Sequence, residues 1–142
     1  CLFYAVIVAF ISNTLVSLVF NMAASDPVQS LSYLQKLALS LGAGLYEELF
    51  FRVILVSLLI LLFNKIFGKK WAAITAAITL SALLFSAVHY MGSMGDLFTF
   101  NSFAYRFIFG LILNGLYIWR GFGVAAWTHA LYDVLVISFL GA

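Results

Sequence analysis

Charge is what this sequence has least of. Only 8% of its 142 residues are Asp, Glu, Lys or Arg, 65% are hydrophobic, and the mean hydropathy is +1.15. A soluble domain carries about a quarter charged residues, so a water-soluble fold of this size would have almost nothing polar to cover its surface. The bilayer is the solvent that suits such a composition. A net charge of +2 is too small to point to nucleic acid. The single cysteine, Cys1, excludes an internal disulfide framework and a cysteine-built metal cluster. The single proline, Pro27, falls in a polar stretch and interrupts none of the apolar ones. The apolar N-terminus lacks the basic start and small-residue cleavage pattern of a secretory signal. A chain beginning at Cys1 reads as a fragment of a longer membrane protein or a processed product, and no preceding signal supports a lipid-bearing N-terminal cysteine.

What is present is a set of five hydrophobic stretches, at about 1–22, 37–63, 71–91, 99–119 and 123–141. Each is near the ~20 residues that a helix needs to cross the hydrocarbon core. Backbone groups in lipid are satisfied within the segment, which makes helices the default. The expectation is an all-α, polytopic transmembrane bundle of about five helices, forming one domain over 1–142 with its motif-bearing core at 37–141. The connections are short and polar: 23–36 with Asp26, Pro27, Gln29 and Lys36; 64–70 with Lys65, Lys69 and Lys70; 92–98 with Gly92, Ser93, Gly95 and Asp96; and 120–123 with Arg120. Lysine- and arginine-rich loops face the cytoplasm. If all five stretches cross, the 64–70 loop and Arg120 share that side, while Asp26, Asp96 and Lys36 lie on the other.

An ionisable group at the centre of a membrane helix costs about 2.5–3.5 kcal/mol, and each Leu or Ile returns only about 0.3–0.6 kcal/mol. Charges inside these stretches therefore call for an explanation, and function is the usual one. Glu47, Glu48 and Arg52 sit well inside the second stretch. Glu48 and Arg52 are one turn apart with the acid nearer the N-terminus, the favourable order for a helical ion pair. Glu47 is rotated about 100° from Glu48 and can face a different neighbour. Pairing accounts for Glu48 and Arg52 but leaves Glu47 unexplained, because an acid in lipid is either neutral or has a distant partner. His89 ends the third stretch, one turn after Phe85. His129 and Asp133 are one turn apart in the last, where an acid can fix the tautomer of a histidine or stabilise its charged form. Taken singly, each has a bland reading as an interfacial or self-satisfied polar group. Together they hold both histidines and three of the five acids of the chain. Gly42, Ala43 and Gly44 would let a neighbouring helix approach closely beside Glu47.

In that order and spacing, Glu47-Glu48-x-x-x-Arg52, Phe85-x-x-x-His89 and His129-x-x-x-Asp133 resemble the three motifs of the CPBP family, the Abi-like group that contains CAAX prenyl endopeptidases and bacteriocin-processing proteins. Each motif alone is common by chance; the ordered set, over roughly residues 40–140, is specific. Gly110 and Gly121 also sit where such a sequence has them. The resemblance implies an intramembrane endopeptidase of the glutamic type, with no obligatory metal or other cofactor. Glu47 and His89 would activate the attacking water, and His129 and Asp133 would stabilise the oxyanion. Glu48 and Arg52, together with Phe85, would support the site. Two positions depart from the pattern. Val53 stands where glycine is frequent, and Asp133 stands where asparagine is better known. An amide can donate to an oxyanion, whereas an ionised carboxylate only accepts. Asp133 is therefore expected either to be protonated or to orient a cationic His129 that does the donating.

Peptide hydrolysis needs an activated water, donors for the oxyanion and a proton for the leaving amine, and these residue types supply all three. No serine sits in a recognisable nucleophile motif, so water is the expected attacker. Zinc is the alternative, since Glu47, His89 and His129 form a known catalytic ligand set. Counted from the expected exterior ends at ~1.5 Å per residue, Glu47 lies ~15 Å deep, His89 under ~10 Å and His129 ~20 Å. Convergence thus requires tilt, displaced helix ends or a broken helix. The expected partners are the lipid bilayer and a peptide or protein substrate in or at the membrane, lipidated or not, in the plasma membrane of a prokaryote; nucleic acid is not among them. A non-catalytic partner-binding or immunity protein is one rival. A proton-relay transporter is another, though the repeated halves or matched broken helices of a transporter are missing.

Overall fold

The structure, a computed structural model, describes residues 3, 4, 6, 7, 33–91, 97–136 and 138. Apart from Phe3, Tyr4, Val6 and Ile7, the first hydrophobic stretch lies outside the described residues, as do Asp26, Pro27, Gln29, Gly92, Ser93, Gly95 and Asp96. No strand occurs among the described residues, and the all-α bundle expected from the composition is what the chain forms.

The second stretch is one continuous rod in three parts: α1 (Tyr33–Glu48), a π-helical segment (Leu49–Val56) and α2 (Ser57–Phe67). A helix is what the hydrophobic length predicts here; the change of winding within it is not. π turns are rare and concentrate at functional sites, and this one begins at the residue after Glu48. Gly68, at φ +62°, closes α2 and donates its N–H to the Asn64 carbonyl at 3.2 Å, a left-handed cap that turns the chain back. α3 (Lys70–Val88) follows. α4 (Phe100–Arg120) starts at Thr99, whose hydroxyl accepts the Ser102 N–H at 3.2 Å, satisfying one of the donors a helix start leaves free. A single residue, Gly121, separates α4 from α5 (Phe122–Leu135). Its φ of +85° is a conformation that a side-chain-bearing residue resists, and glycine here lets two helices meet at a sharp corner. Gly44–Phe67, Lys70–Val88 and Phe100–Arg120 are each long and apolar enough to cross a membrane.

α1 packs on α5, and α3 packs on both α2 and α4. In lipid the apolar faces of helices gain little by leaving their surroundings, so association depends on close packing and interhelical hydrogen bonds. Both are present. Ala73, Ala77, Ala82, Ala125, Ala126 and Ala130 are buried, while Leu58, Leu61, Ile66, Trp71 and Trp127 point outward. The closest approach is between α1 and α5, where a Cβ on Gly44 would overlap Ala130; Gly42, by contrast, faces open space. Side-chain bonds tie the helices together, and four of them link the π segment, α2, α3 and α4. Ser81 Oγ donates to the Phe51 carbonyl in the π segment at 3.1 Å, and Asn114 Nδ2 donates to the Ile78 carbonyl at 2.8 Å. Ser86 Oγ donates to the Phe103 carbonyl at 2.7 Å, and Ser57 and Tyr117 share a hydroxyl contact at 3.1 Å. These bonds set α3 and α4 antiparallel. Phe51, Phe85, Phe109, Leu113, Leu116 and Ala125 form the core on which the polar cluster rests.

Candidate active site

Glu47 and Glu48 occupy the last turn of α1, Arg52 the π segment, Phe85 and His89 the end of α3, His129 the middle of α5 and Asp133 its last turn. The adjacent glutamates diverge, as a 100° step per residue requires. Glu48 turns inward and is fully buried. Its Oε1 lies 3.0 Å from Arg52 Nη1 and accepts the Nδ1–H of His129 at 2.8 Å. The expected ion pair is therefore present, and it has a third member from another helix. Across the ring, His129 Nε2 is 3.5 Å from Asp133 Oδ2, so each nitrogen of this imidazole faces a carboxylate oxygen. The edges of Phe85 and Phe109 close in on the ring, at centroid distances of 6.0 and 5.1 Å.

Glu47 faces the other way, toward His89, with 3.9 Å between Glu47 Oε2 and His89 Nε2. That gap is too long for a direct hydrogen bond. Glu47 Oε2 makes no hydrogen bond among the described residues. His89 caps α3 and donates its Nδ1–H to the Phe85 carbonyl at 2.7 Å. A carbonyl can only accept, so neutral His89 carries its lone pair on Nε2, the atom turned to Glu47.

Phe85 is the wall shared by both halves. Its ring lies 4.6 Å beneath the Arg52 guanidinium, a cation–π contact, and meets the His89 ring at 4.9 Å and the Phe51 ring at 5.2 Å. All the residues singled out from the sequence are thus linked, Arg52–Glu48–His129–Asp133 as one chain and Glu47–His89 beside it. The cluster contains three carboxyl groups, one guanidinium and two imidazoles, and is electrically neutral when it holds two further protons.

Sequence reasoning missed several supporting groups. Phe109 and Tyr132, whose rings are 4.6 Å apart, pack beside His129, and the Tyr132 hydroxyl bonds that of Tyr105. Directly after His89, Tyr90 donates its hydroxyl to Ser102 Oγ at 2.8 Å, while Arg106 Nη1 donates to the Tyr90 hydroxyl at 2.9 Å and to Ser102 Oγ. This knot fastens the end of α3 to α4. An arginine within the fourth stretch was a visible signal; the aromatics were not, being scattered among many. Among the described residues, no three His, Cys, Asp or Glu side chains come together as ligands of one metal ion.

The described residues thus form a helical bundle holding a buried acid–imidazole–guanidinium chain beside a Glu–His pair. The family model described as type II CAAX prenyl endopeptidase Rce1-like matches residues 29–135. The chain belongs to that family and is an integral membrane protein of the CAAX protease class. No curated protein and no solved structure matches it.

Proposed function

We propose that this protein is a glutamic intramembrane endopeptidase that hydrolyses a peptide bond of a membrane-associated protein or peptide, without a metal. The observation carrying this reading is the Glu47–His89 pair: an unsatisfied carboxylate oxygen 3.9 Å from an imidazole nitrogen whose partner nitrogen is already tied to Phe85. A water hydrogen-bonded to both atoms at ~2.8 Å would subtend an angle of ~90° between them. Glu47 takes a proton from that water as its oxygen attacks the peptide carbonyl carbon. The carbonyl π electrons move to oxygen, and the oxyanion is met by an N–H from His129. As the C–N bond breaks, Glu47 returns the proton to the departing amine. Glu48 holds the proton on His129 Nδ1; with Nε2 also protonated, the ring presents a donor whose orientation Asp133 keeps. Glu48, Arg52 and Phe85 support the site without touching the substrate.

The test is cleavage of a quenched membrane-peptide library by detergent-purified protein. Glu47→Gln is expected to reduce cleavage by about 10²–10⁴-fold, and a chelator is expected to leave the wild-type rate unchanged. Activity lost to the chelator and restored by zinc would replace the glutamic reading with a metalloprotease. Asp133→Asn, which supplies an amide donor at that position while keeping an acceptor oxygen, is expected to lose less than the ~10²–10³-fold that removal of an oxyanion donor brings.

A further inference from the structure

The hairpin of α2 and α3 carries an open, largely apolar groove between its two helices. Phe63 and Phe67, with ring centroids 5.5 Å apart, form the α2 wall. On α3 the floor is Ala72, Thr75, Ala76 and Thr79, spaced so that they share one helix face. Their small side chains leave a trough beside the aromatic wall. Trp71, 77% exposed, stands at the mouth, and Leu80 and Leu83 close the inner end. The lining comes from α2 and α3 alone, and none of it belongs to the candidate site. Small residues on a membrane helix face let a neighbour pack closely.

The length of the groove and the charge at its mouth restrict that neighbour. From Trp71 to Leu83 the groove follows α3 for 12 residues, ~18 Å at ~1.5 Å per residue. One leaflet contributes half of the ~30 Å hydrocarbon core, ~15 Å. The groove is therefore as deep as the acyl chains of one leaflet. Lys69 and Lys70 stand exposed immediately before Trp71, and Lys65 is exposed in the last turn of α2. The carboxylates among the described residues, Glu47, Glu48 and Asp133, all belong to the candidate site and face Arg52, His89 and His129. The lysine turn thus has no acid partner among the described residues. An apolar trough one leaflet deep, with ammonium groups at its mouth, is complementary to a lipid with an anionic headgroup. A second copy of this chain fits less well. Two-fold association through the same groove would set two lysine turns side by side, and like charges across an interface repel.

We propose that this groove binds an anionic phospholipid of the surrounding bilayer. One acyl chain lies along Ala72, Thr75, Ala76 and Thr79 against Phe63 and Phe67, and the phosphate sits against Lys69 and Lys70. Trp71 stands between the two parts, at the level where aromatic rings concentrate in membrane proteins. The lipid site is independent of the proposed hydrolysis.

Tryptophan quenching by lipids with brominated acyl chains tests this in the intact chain. The sequence has three tryptophans, so Trp119→Phe with Trp127→Phe leaves Trp71 as the reporter. In phosphatidylcholine vesicles, brominated phosphatidylglycerol is expected to quench Trp71 at a lower mole fraction than brominated phosphatidylcholine. The expected difference is about fivefold for each lysine facing the phosphate. Lys69→Gln with Lys70→Gln should bring the two curves together. Ala76→Phe, which fills the trough and keeps both lysines, should weaken the preference. Equal quenching by the two lipids overturns the proposal, as does a preference that survives Lys69→Gln with Lys70→Gln. A Trp71 that neither lipid quenches also overturns it, because a protein surface then covers the groove. An unchanged preference in Ala76→Phe does so too, because the headgroup is then attracted without a seated chain.

Discussion

Glu47 and Glu48 are neighbours in sequence and opposites in environment. Glu48 is sealed and shared between Arg52 and His129; Glu47 is a third exposed, with a gap between its carboxylate and His89. The difference shows how one helical turn serves two purposes. A buried carboxylate must be compensated, because its desolvation is repaid only by good geometry and additional hydrogen bonds. Compensated in this way, Glu48 ties the rod to α5 and fixes the tautomer of the imidazole. An acid left without a direct partner is poorly suited to holding helices together but is free to take up a proton. The π segment begins between the two roles, at Leu49, and brings Arg52 under Glu48 and over Phe85.

The comparison can be broken most forcefully at Arg52. Arg52→Met leaves Glu48 buried without its cation, and removing one partner of a buried pair typically costs about 3–5 kcal/mol. Thermal unfolding in detergent should show this as a large fall in midpoint, and Glu48→Leu combined with Arg52→Met should recover part of it. A smaller effect is expected at Gly44, where a Cβ overlaps Ala130. Gly44→Ala should destabilise by about 1–3 kcal/mol, the usual cost of overpacking, and Ala130→Gly should restore part of the loss. The smallest is at Glu47. Glu47→Gln removes no bonded partner and should change stability by less than about 0.5 kcal/mol; a larger loss would mean that Glu47 shares the structural duty of Glu48.

Much of this arrangement was legible in the sequence. Hydrophobic length gave the rods to within a few residues: 37–63 lies within Tyr33–Phe67, and 71–91 corresponds to Lys70–Val88. The one-turn spacings appear as an ion pair between Glu48 and Arg52 at 3.0 Å and as a contact between His129 and the Asp133 carboxylate at 3.5 Å. Spacing reports only partners on the same helix, however. That Glu48 would also take His129, and that Phe85 would lie between Arg52 and His89, depends on how helices cross, and no local pattern encodes that. The π winding was equally silent, because LFFRVILV reads as an ordinary apolar turn. Among the glycines before Glu47, only the packed structure distinguishes Gly44, in contact with α5, from Gly42, in open space.

The division of labour between the two glutamates is tested most directly by measuring cleavage rate and thermal midpoint together for Glu47→Gln and Glu48→Gln. The account predicts that Glu47→Gln keeps the wild-type midpoint and loses cleavage, while Glu48→Gln lowers the midpoint by leaving Arg52 uncompensated. A Glu47→Gln protein that cleaves at the wild-type rate would contradict it.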